Sequence, residues 1–235
     1  MVRDPIQLPL AATDAVIVDL DGTMVDTLGD FVQALQRMLA ELPEPFQSFV
    51  VEQALVERLV GKGSEHLIKS LLAHIDTAQV ATKNVALFEA AWQAYQRHYP
   101  EVNGHYSAVY PGVREALAQW QQAGLKLVCV TNKPTAFAQA LLAEKQLAVY
   151  FSAVIGGDAV ARKKPDPMPL LHACAQLQTV PARTLMVGDS SNDALAARAA
   201  GCPVILVSYG YNHGEPVDRV DADGVLDFLA QLHWV

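Results

Sequence analysis

Two aspartates one residue apart, Asp19 and Asp21, close a short apolar run and are followed by Gly22-Thr23. The run, Ala15 to Val18, reads as a buried strand of a parallel sheet, near-continuous rather than alternating. Two carboxylates at the carboxyl end of such a strand are costly to place unless something cationic meets them. A divalent metal answers that need, and hard oxygen ligands point to Mg²⁺. The plainer alternative is a tight turn at Asp21-Gly22 with Asp19 as a strand-end cap.

Three more clusters fall where a strand gives way to a loop or helix. Thr131-Asn132-Lys133 follows Val130, and a hydroxyl, an amide and backbone N–H groups at a helix start can cradle a phosphate. Alone, the same residues read as a helix cap. Lys163-Lys164-Pro165-Asp166-Pro167 offers a lysine as a point charge on a stiff base; alone, it reads as a solvated basic loop. Gly188-Asp189-Ser190-Ser191-Asn192-Asp193 ends another apolar run in an aspartate, with a second one four residues on. Here the alternative is capping by Ser190 or Ser191. All four clusters at one edge of one sheet would supply a nucleophile, a metal site, an oxyanion cradle and a cation. Phosphoryl transfer asks for that set, because it depends on positioning and charge neutralisation.

The elements that must position these residues follow from periodicity. From Leu28 to about Tyr99 the pattern is helical throughout. It predicts one helix broken by Pro43 and Pro45, a second over Ser48–Val60, a third from Ser64 as N-cap to about His74, and a fourth from about Ala78 to Tyr99. After Pro111-Gly112, strands and helices alternate, which predicts an α/β fold: a Rossmann-like parallel sheet with helices on both faces. The final segment, Val225–Leu232, reads as a helix. Residues 1–27 and 105–235 are expected to form the catalytic core, and residues 28–104 an inserted, small all-helical cap domain. Ligands of such sheets bind outside the carboxyl ends of the strands.

Composition narrows the function. The chain has 235 residues, 51% of them hydrophobic, and a net charge of -8 with no basic stripe, which argues against nucleic acid as a partner. The three cysteines, Cys129, Cys174 and Cys202, lie in apolar surroundings with no Cys-x-x-Cys spacing. Neither a disulfide framework nor a zinc site is expected. Residues 1–13 lack the charged start and apolar stretch of a signal peptide, and no run has transmembrane length. A cytoplasmic protein with no membrane partner is the expectation; monomer and homodimer both stay open.

The four clusters together resemble the motifs of the haloacid-dehalogenase superfamily: Asp19-x-Asp21-Gly22-Thr23, Thr131-Asn132, Lys164-Pro165 and Gly188-Asp189-Ser190-x-x-Asp193. The likeness extends over the whole chain, with Leu20 where phenylalanine is frequent. Thr131-Asn132-Lys133-Pro134, Ile155-Gly156-Gly157-Asp158 and Tyr209-Gly210-Tyr211-Asn212 are similar to bacterial phosphoglycolate phosphatases. The resemblance implies that Asp19 attacks phosphorus to form an aspartyl-phosphate and that Asp21 serves as acid and then base. It implies that Thr131 and the Asn132 backbone hold the phosphoryl oxygens and that Lys164 neutralises charge. It implies Mg²⁺ on Asp19, the Asp21 carbonyl oxygen and Asp189, with Asp193 behind them. The substrate it implies is a small phosphorylated metabolite, 2-phosphoglycolate first, with a sugar phosphate such as N-acetylmuramic acid 6-phosphate as the alternative. A phosphosugar mutase is a further alternative. Asp21 argues against a dehalogenase, and four intact motifs argue against a binding module.

Other residues could extend the site. Gly61-Lys62-Gly63 separates two predicted cap helices, so Lys62 could touch the substrate or simply sit in solvent; Arg58 and His66 flank it. Tyr209–His213 follows the last core strand and could line the entrance. Trp92, Tyr95 and Tyr99 at helical spacing read as cap core. The seven histidines show no metal-binding spacing.

Overall fold

The structure is a computed structural model that describes residues 2–76 and 85–235. Its centre is a parallel sheet built from β2 (Ala15–Val18), β5 (Lys126–Val130), β6 (Ala153–Ile155), β7 (Thr184–Gly188), β8 (Val204–Val207) and β9 (Gly224–Leu226), in the order β6-β5-β2-β7-β8-β9. β2 lies between β5 and β7, with Ile17 opposite both Val128 and Met186. The chain builds outward from β2 first on one side and then on the other, so the crevice for ligands opens at the end of β2.

The strands are buried on both faces, and their residues alternate between two cores. Val16, Val18, Leu127 and Cys129 pack with α5 (Val113–Gln122) and α6 (Thr135–Glu144). Ala15, Ile17, Val128 and Val130 pack with α7 (Met168–Leu177) and α8 (Ser191–Ala200). A third cluster belongs to the helical insertion, or cap: α1 (Leu28–Ala40), α2 (Gln53–Leu59), α3 (Ser64–Ile75) and α4 (Val85–Val102). The chain crosses between core and cap through a two-rung antiparallel ribbon of β3 (Val25–Asp26) and β4 (Ala108–Val109). Asp30, fully buried in the first turn of α1, accepts hydrogen bonds from Gly104 N (2.8 Å) and Tyr106 N (2.7 Å), tying the returning chain to the outgoing one.

Several local expectations are corrected. Residues 224–234 are not a helix: they form β9, a 3-10 turn over Leu229–Gln231, and β10 (Leu232–Trp234). Leu226, Leu229 and Leu232 sit three apart, which imitates a helical stripe, but β10 pairs with β1 (Ile6–Leu8) at the other end of the chain. The second helix starts at Gln53 rather than Ser48, because the Gln36 side chain takes Phe49 O (3.0 Å) and Val51 N (2.9 Å) into its own hydrogen bonds. Gly63, not Ser64, is the N-cap of α3. The predicted start of the fourth helix, Ala78 to Asn84, lies outside the described residues. Among the described residues no helix is long and apolar enough to cross a membrane.

Candidate active site

The end of β2 sets the geometry. Leu20 is buried in the core, so Asp19 and Asp21, on either side of it, project toward the crevice. Gly22 turns the chain with φ +85°, and a Cβ there would lie 2.3 Å from Asp189 Oδ2. That close approach lets the end of β7 present Asp189 beside Asp19. Asp189 Oδ1 accepts from Thr23 Oγ1 (3.0 Å) and its Oδ2 from Tyr211 N (2.6 Å). Gly210 makes room for the same carboxylate, since a Cβ there would meet Asp189 Cβ at 2.2 Å.

Lys164 stands on the other side of Asp19. Its Nζ is 2.9 Å from Asp19 Oδ1 and 2.7 Å from Asp193 Oδ1, and it donates to Val130 O at 2.9 Å. The second oxygen of Asp193 accepts from Ser190 N (3.1 Å) and Ser190 Oγ (2.9 Å), which closes a capping box on α8. Asp19, Asp189 and Asp193 each offer an oxygen within 4.8 Å of the others. Asp193 spends one oxygen on Lys164 and the other on the cap of α8, so Asp19, whose Oδ1 has no hydrogen-bond partner, and Asp189 beside it are the pair that could hold a metal.

The electrostatics ask for a cation. Burial pushes the Asp19 carboxyl up to about 7, against the opposing pull of Lys164. Burial also drives Asp189 far above the usual carboxylate range, aided by repulsion from Asp193 and Asp19. Burial acts to lower Lys164, but Asp19 and Asp193 overcome it and hold the ammonium above the ordinary lysine range. The Lys164 ammonium approaches Asp19 Oδ1 off the hydrogen-bonding direction, so this buried oxygen has no hydrogen-bond partner. Four carboxylates (Asp19, Asp21, Asp189, Asp193) line the pocket against two ammonium groups (Lys133, Lys164). The residues present therefore fit a divalent metal in donor chemistry and in charge.

Thr131, Asn132 and Lys133 leave β5 together and are all buried. Thr131 Oγ1 accepts from Lys133 N at 3.2 Å. Asn132 uses its side-chain amide structurally, donating to Gly61 O (2.9 Å) and Lys164 O (2.8 Å). Lys133 is the functional candidate that sequence reasoning passed over. Its Nζ lies 2.9 Å from Asp21 Oδ1, donates to Tyr99 OH, and sits 4.7 Å from the centre of the Phe31 ring. The available signal was its place directly after Thr131-Asn132 and before Pro134, which stiffens the turn.

The cap closes this pocket with Phe31, Val60, Gly61, Gly63, Ser64 and Leu67. The enclosed cavity is about 30 Å³, room for one or two waters. Lys62 is exposed and stands outside the lining; its neighbour Gly61 reaches in instead, its carbonyl accepting from Asn132 and from Asn192 (3.2 Å). Arg58 and His66 are also exposed. Tyr95 and Tyr99 are buried in the cap core as expected, yet Tyr99 also extends its hydroxyl to Lys133. Tyr211 lines the pocket and joins the ribbon, donating to Asp26 and accepting from Thr27 N (2.8 Å).

The family model of haloacid dehalogenase-like hydrolases matches residues 13–201. The chain belongs to that family. It is 42% identical over 218 residues to a phosphoglycolate phosphatase of Thiobacillus denitrificans, covering 92% of each chain. A plasmid-borne phosphoglycolate phosphatase of Cupriavidus necator is 43% identical over 218 residues, covering 93% of this chain and 90% of the relative. The crystal structure of a predicted phosphoglycolate phosphatase from Haemophilus somnus 129PT superposes with a TM-score of 0.86 at 30% identity, covering 93% of this chain and 96% of that one. Within the haloacid dehalogenase-like hydrolases the chain is a phosphoric monoester hydrolase of the phosphoglycolate phosphatase-like branch. It acts on a small phosphorylated metabolite through an aspartyl-phosphate.

Proposed function

We propose that this hydrolase converts 2-phosphoglycolate to glycolate and phosphate at a Mg²⁺ site held by Asp19, Asp189 and the Asp21 carbonyl oxygen. One observation carries the reading: Asp19, Asp21, Thr131, Lys164 and Asp189 converge on a pocket that the cap encloses and keeps small. The names of the 42% and 43% identical relatives support the substrate.

In the first step an Asp19 oxygen bonds to phosphorus as the ester P–O bond breaks, and Asp21 gives its proton to the departing alkoxide. In the second, Asp21 takes a proton from water, the water oxygen bonds to phosphorus, and the bond to Asp19 breaks to release phosphate. Thr131 Oγ1 and the Asn132 backbone N–H hold the phosphoryl oxygens. Lys164 balances negative charge on Asp19 and on the transferring group. Asp193 keeps Lys164 in place and fixes the loop that carries Asp189. When bound, the cation screens the carboxylates from an incoming dianion. Residues 1–27 and 105–235 act as the catalytic core and 28–104 as the cap, a division supported by the separate apolar cluster of α1 to α4. The buried free thiols support a reducing, cytoplasmic setting.

A phosphate-release panel tests the proposal, with 2-phosphoglycolate, sugar phosphates and nucleotides side by side at saturating Mg²⁺. The highest kcat/KM is expected for 2-phosphoglycolate. A higher value for N-acetylmuramic acid 6-phosphate or another sugar phosphate overturns the substrate, and conversion of one phosphosugar isomer to another without phosphate release points to a mutase.

A further inference from the structure

Resting on that substrate reading, we propose that Lys133 is its specificity-determining cation, binding the carboxylate at the end of the substrate that is not transferred. Among the described residues the ammonium groups lining the pocket are Lys133 and Lys164. Lys164 donates to Asp193 and Val130 O and pairs its charge with Asp19 at 2.9 Å, so it is already committed to the core carboxylates. Lys133 gives one donor to Asp21 and one to Tyr99 OH, which leaves a third for a ligand.

Its place along the reaction axis fits this role. Lys164 flanks the nucleophile, where phosphorus sits. Lys133 flanks Asp21, the group that meets the ester oxygen, and so lies on the leaving-group side. A carboxylate one carbon beyond that oxygen, as in glycolate, falls next to the Lys133 ammonium. The amino end of α3 lines the same pocket through Gly63 and Ser64 and has no side-chain cap, so it adds a second attraction for an anion.

The surroundings of Lys133 point away from a purely architectural use. Its side chain is 2% exposed, with the Phe31 and Tyr99 rings at 4.7 and 4.9 Å from its ammonium. Joining core to cap among aromatic rings calls for a leucine or methionine, which carries no desolvation penalty. The remaining cap lining is mainly Phe31, Val60 and Leu67. A sugar would bury hydroxyls against these side chains without partners, whereas a two-carbon carboxylate presents one anionic group to one cation.

The experiment compares 2-phosphoglycolate with ethyl phosphate, the same ester lacking the carboxylate, in wild type, Lys133→Met, Lys133→Gln and Lys133→Arg. The readout is the ratio of the two kcat/KM values in one sample, from which any unfolded fraction cancels. Wild type is expected to favour 2-phosphoglycolate, and Lys133→Met and Lys133→Gln to lower that ratio roughly 30-fold or more. Lys133→Arg, which keeps the charge, is expected to retain much of the preference. A wild-type ratio preserved in Met and Gln, or equal loss of both esters, overturns the role of Lys133 and leaves the substrate standing. A wild-type enzyme indifferent to the carboxylate overturns the substrate reading itself.

Discussion

The two walls of the pocket are built from different materials. The core wall, at the carboxyl ends of β2, β5 and β7 and on the loop after β6, carries four carboxylates and two ammonium groups. The cap wall carries Phe31, Val60, Leu67, Ser64 and two glycines, with no charged side chain among them. Charge concentrated on one wall and withheld from the other separates two tasks. The core holds the reacting groups in fixed relation, and the cap shapes the space and removes water, which strengthens every interaction on the wall opposite.

Substitutions can break or sharpen this division. The largest effect is expected at the core wall. Asp19→Asn should lower phosphate release by roughly 10³-fold or more. The fold should persist, because the change removes one buried carboxylate from an acidic cluster. Substantial turnover in that variant would remove Asp19 as nucleophile. Chelation with EDTA is expected to silence wild type to a similar degree, with recovery on adding Mg²⁺; full activity in metal-free buffer counts against the metal site. Lys164→Met should lose activity and also cost about 3–5 kcal/mol of stability, since it strands Asp19 and Asp193 without their cation. Urea unfolding followed by circular dichroism measures that loss.

At the junction of the two walls the expected effect is smaller. Asn192→Ala removes one of the two amides that hold Gly61 O. One hydrogen bond of about 1 kcal/mol predicts a KM roughly fivefold higher with kcat nearly unchanged. A kcat falling in step with KM would give the cap loop a share in the chemistry.

The smallest effect belongs to a site remote from both walls. The Arg3 backbone N–H, the Ser208 hydroxyl and the Arg3 guanidinium hold the Asp227 carboxyl down at about 2, below its ordinary 3.8. A depressed carboxyl stabilises the fold above its unfolded-state pKa and loses that contribution as pH falls through the folded value. The difference in melting temperature between wild type and Asp227→Asn should therefore be constant above pH 4 and shrink toward pH 2. A difference that grows with acidity would contradict the assignment, and the substitution should not alter the relative rates on different esters.

The same contrast separates what could be read in the sequence from what could not. Asp19, Thr131 and Asp189 each stand just beyond an apolar run, so strand ends place them at one edge, whereas Lys164 follows β6 by a loop and is legible only from its Lys-Pro context. The alternation of strands and helices likewise gave the parallel sheet. Lys133 escaped because its significance depends on Phe31 and Tyr99, which approach from the cap, far away in sequence. The β1–β10 pair escaped for a related reason: three-residue strands carry little periodicity, and their partner lies at the opposite end of the chain. Lys62 is a glycine-flanked cation whose sequence gives its loop but not its direction, and the loop turns a carbonyl inward and the lysine outward.

The ribbon of β3 and β4 ties the acid to the gate. Asp21 forms a bridge with Val25, which is itself a rung of that ribbon, so the side chain proposed to handle the proton rides on the segment about which the cap would swing. Opening to discharge product would re-aim Asp21 in the same movement. An enzyme hung this way would have its proposed proton donor out of register whenever the door stood ajar, coupling chemical readiness to enclosure by mechanics alone.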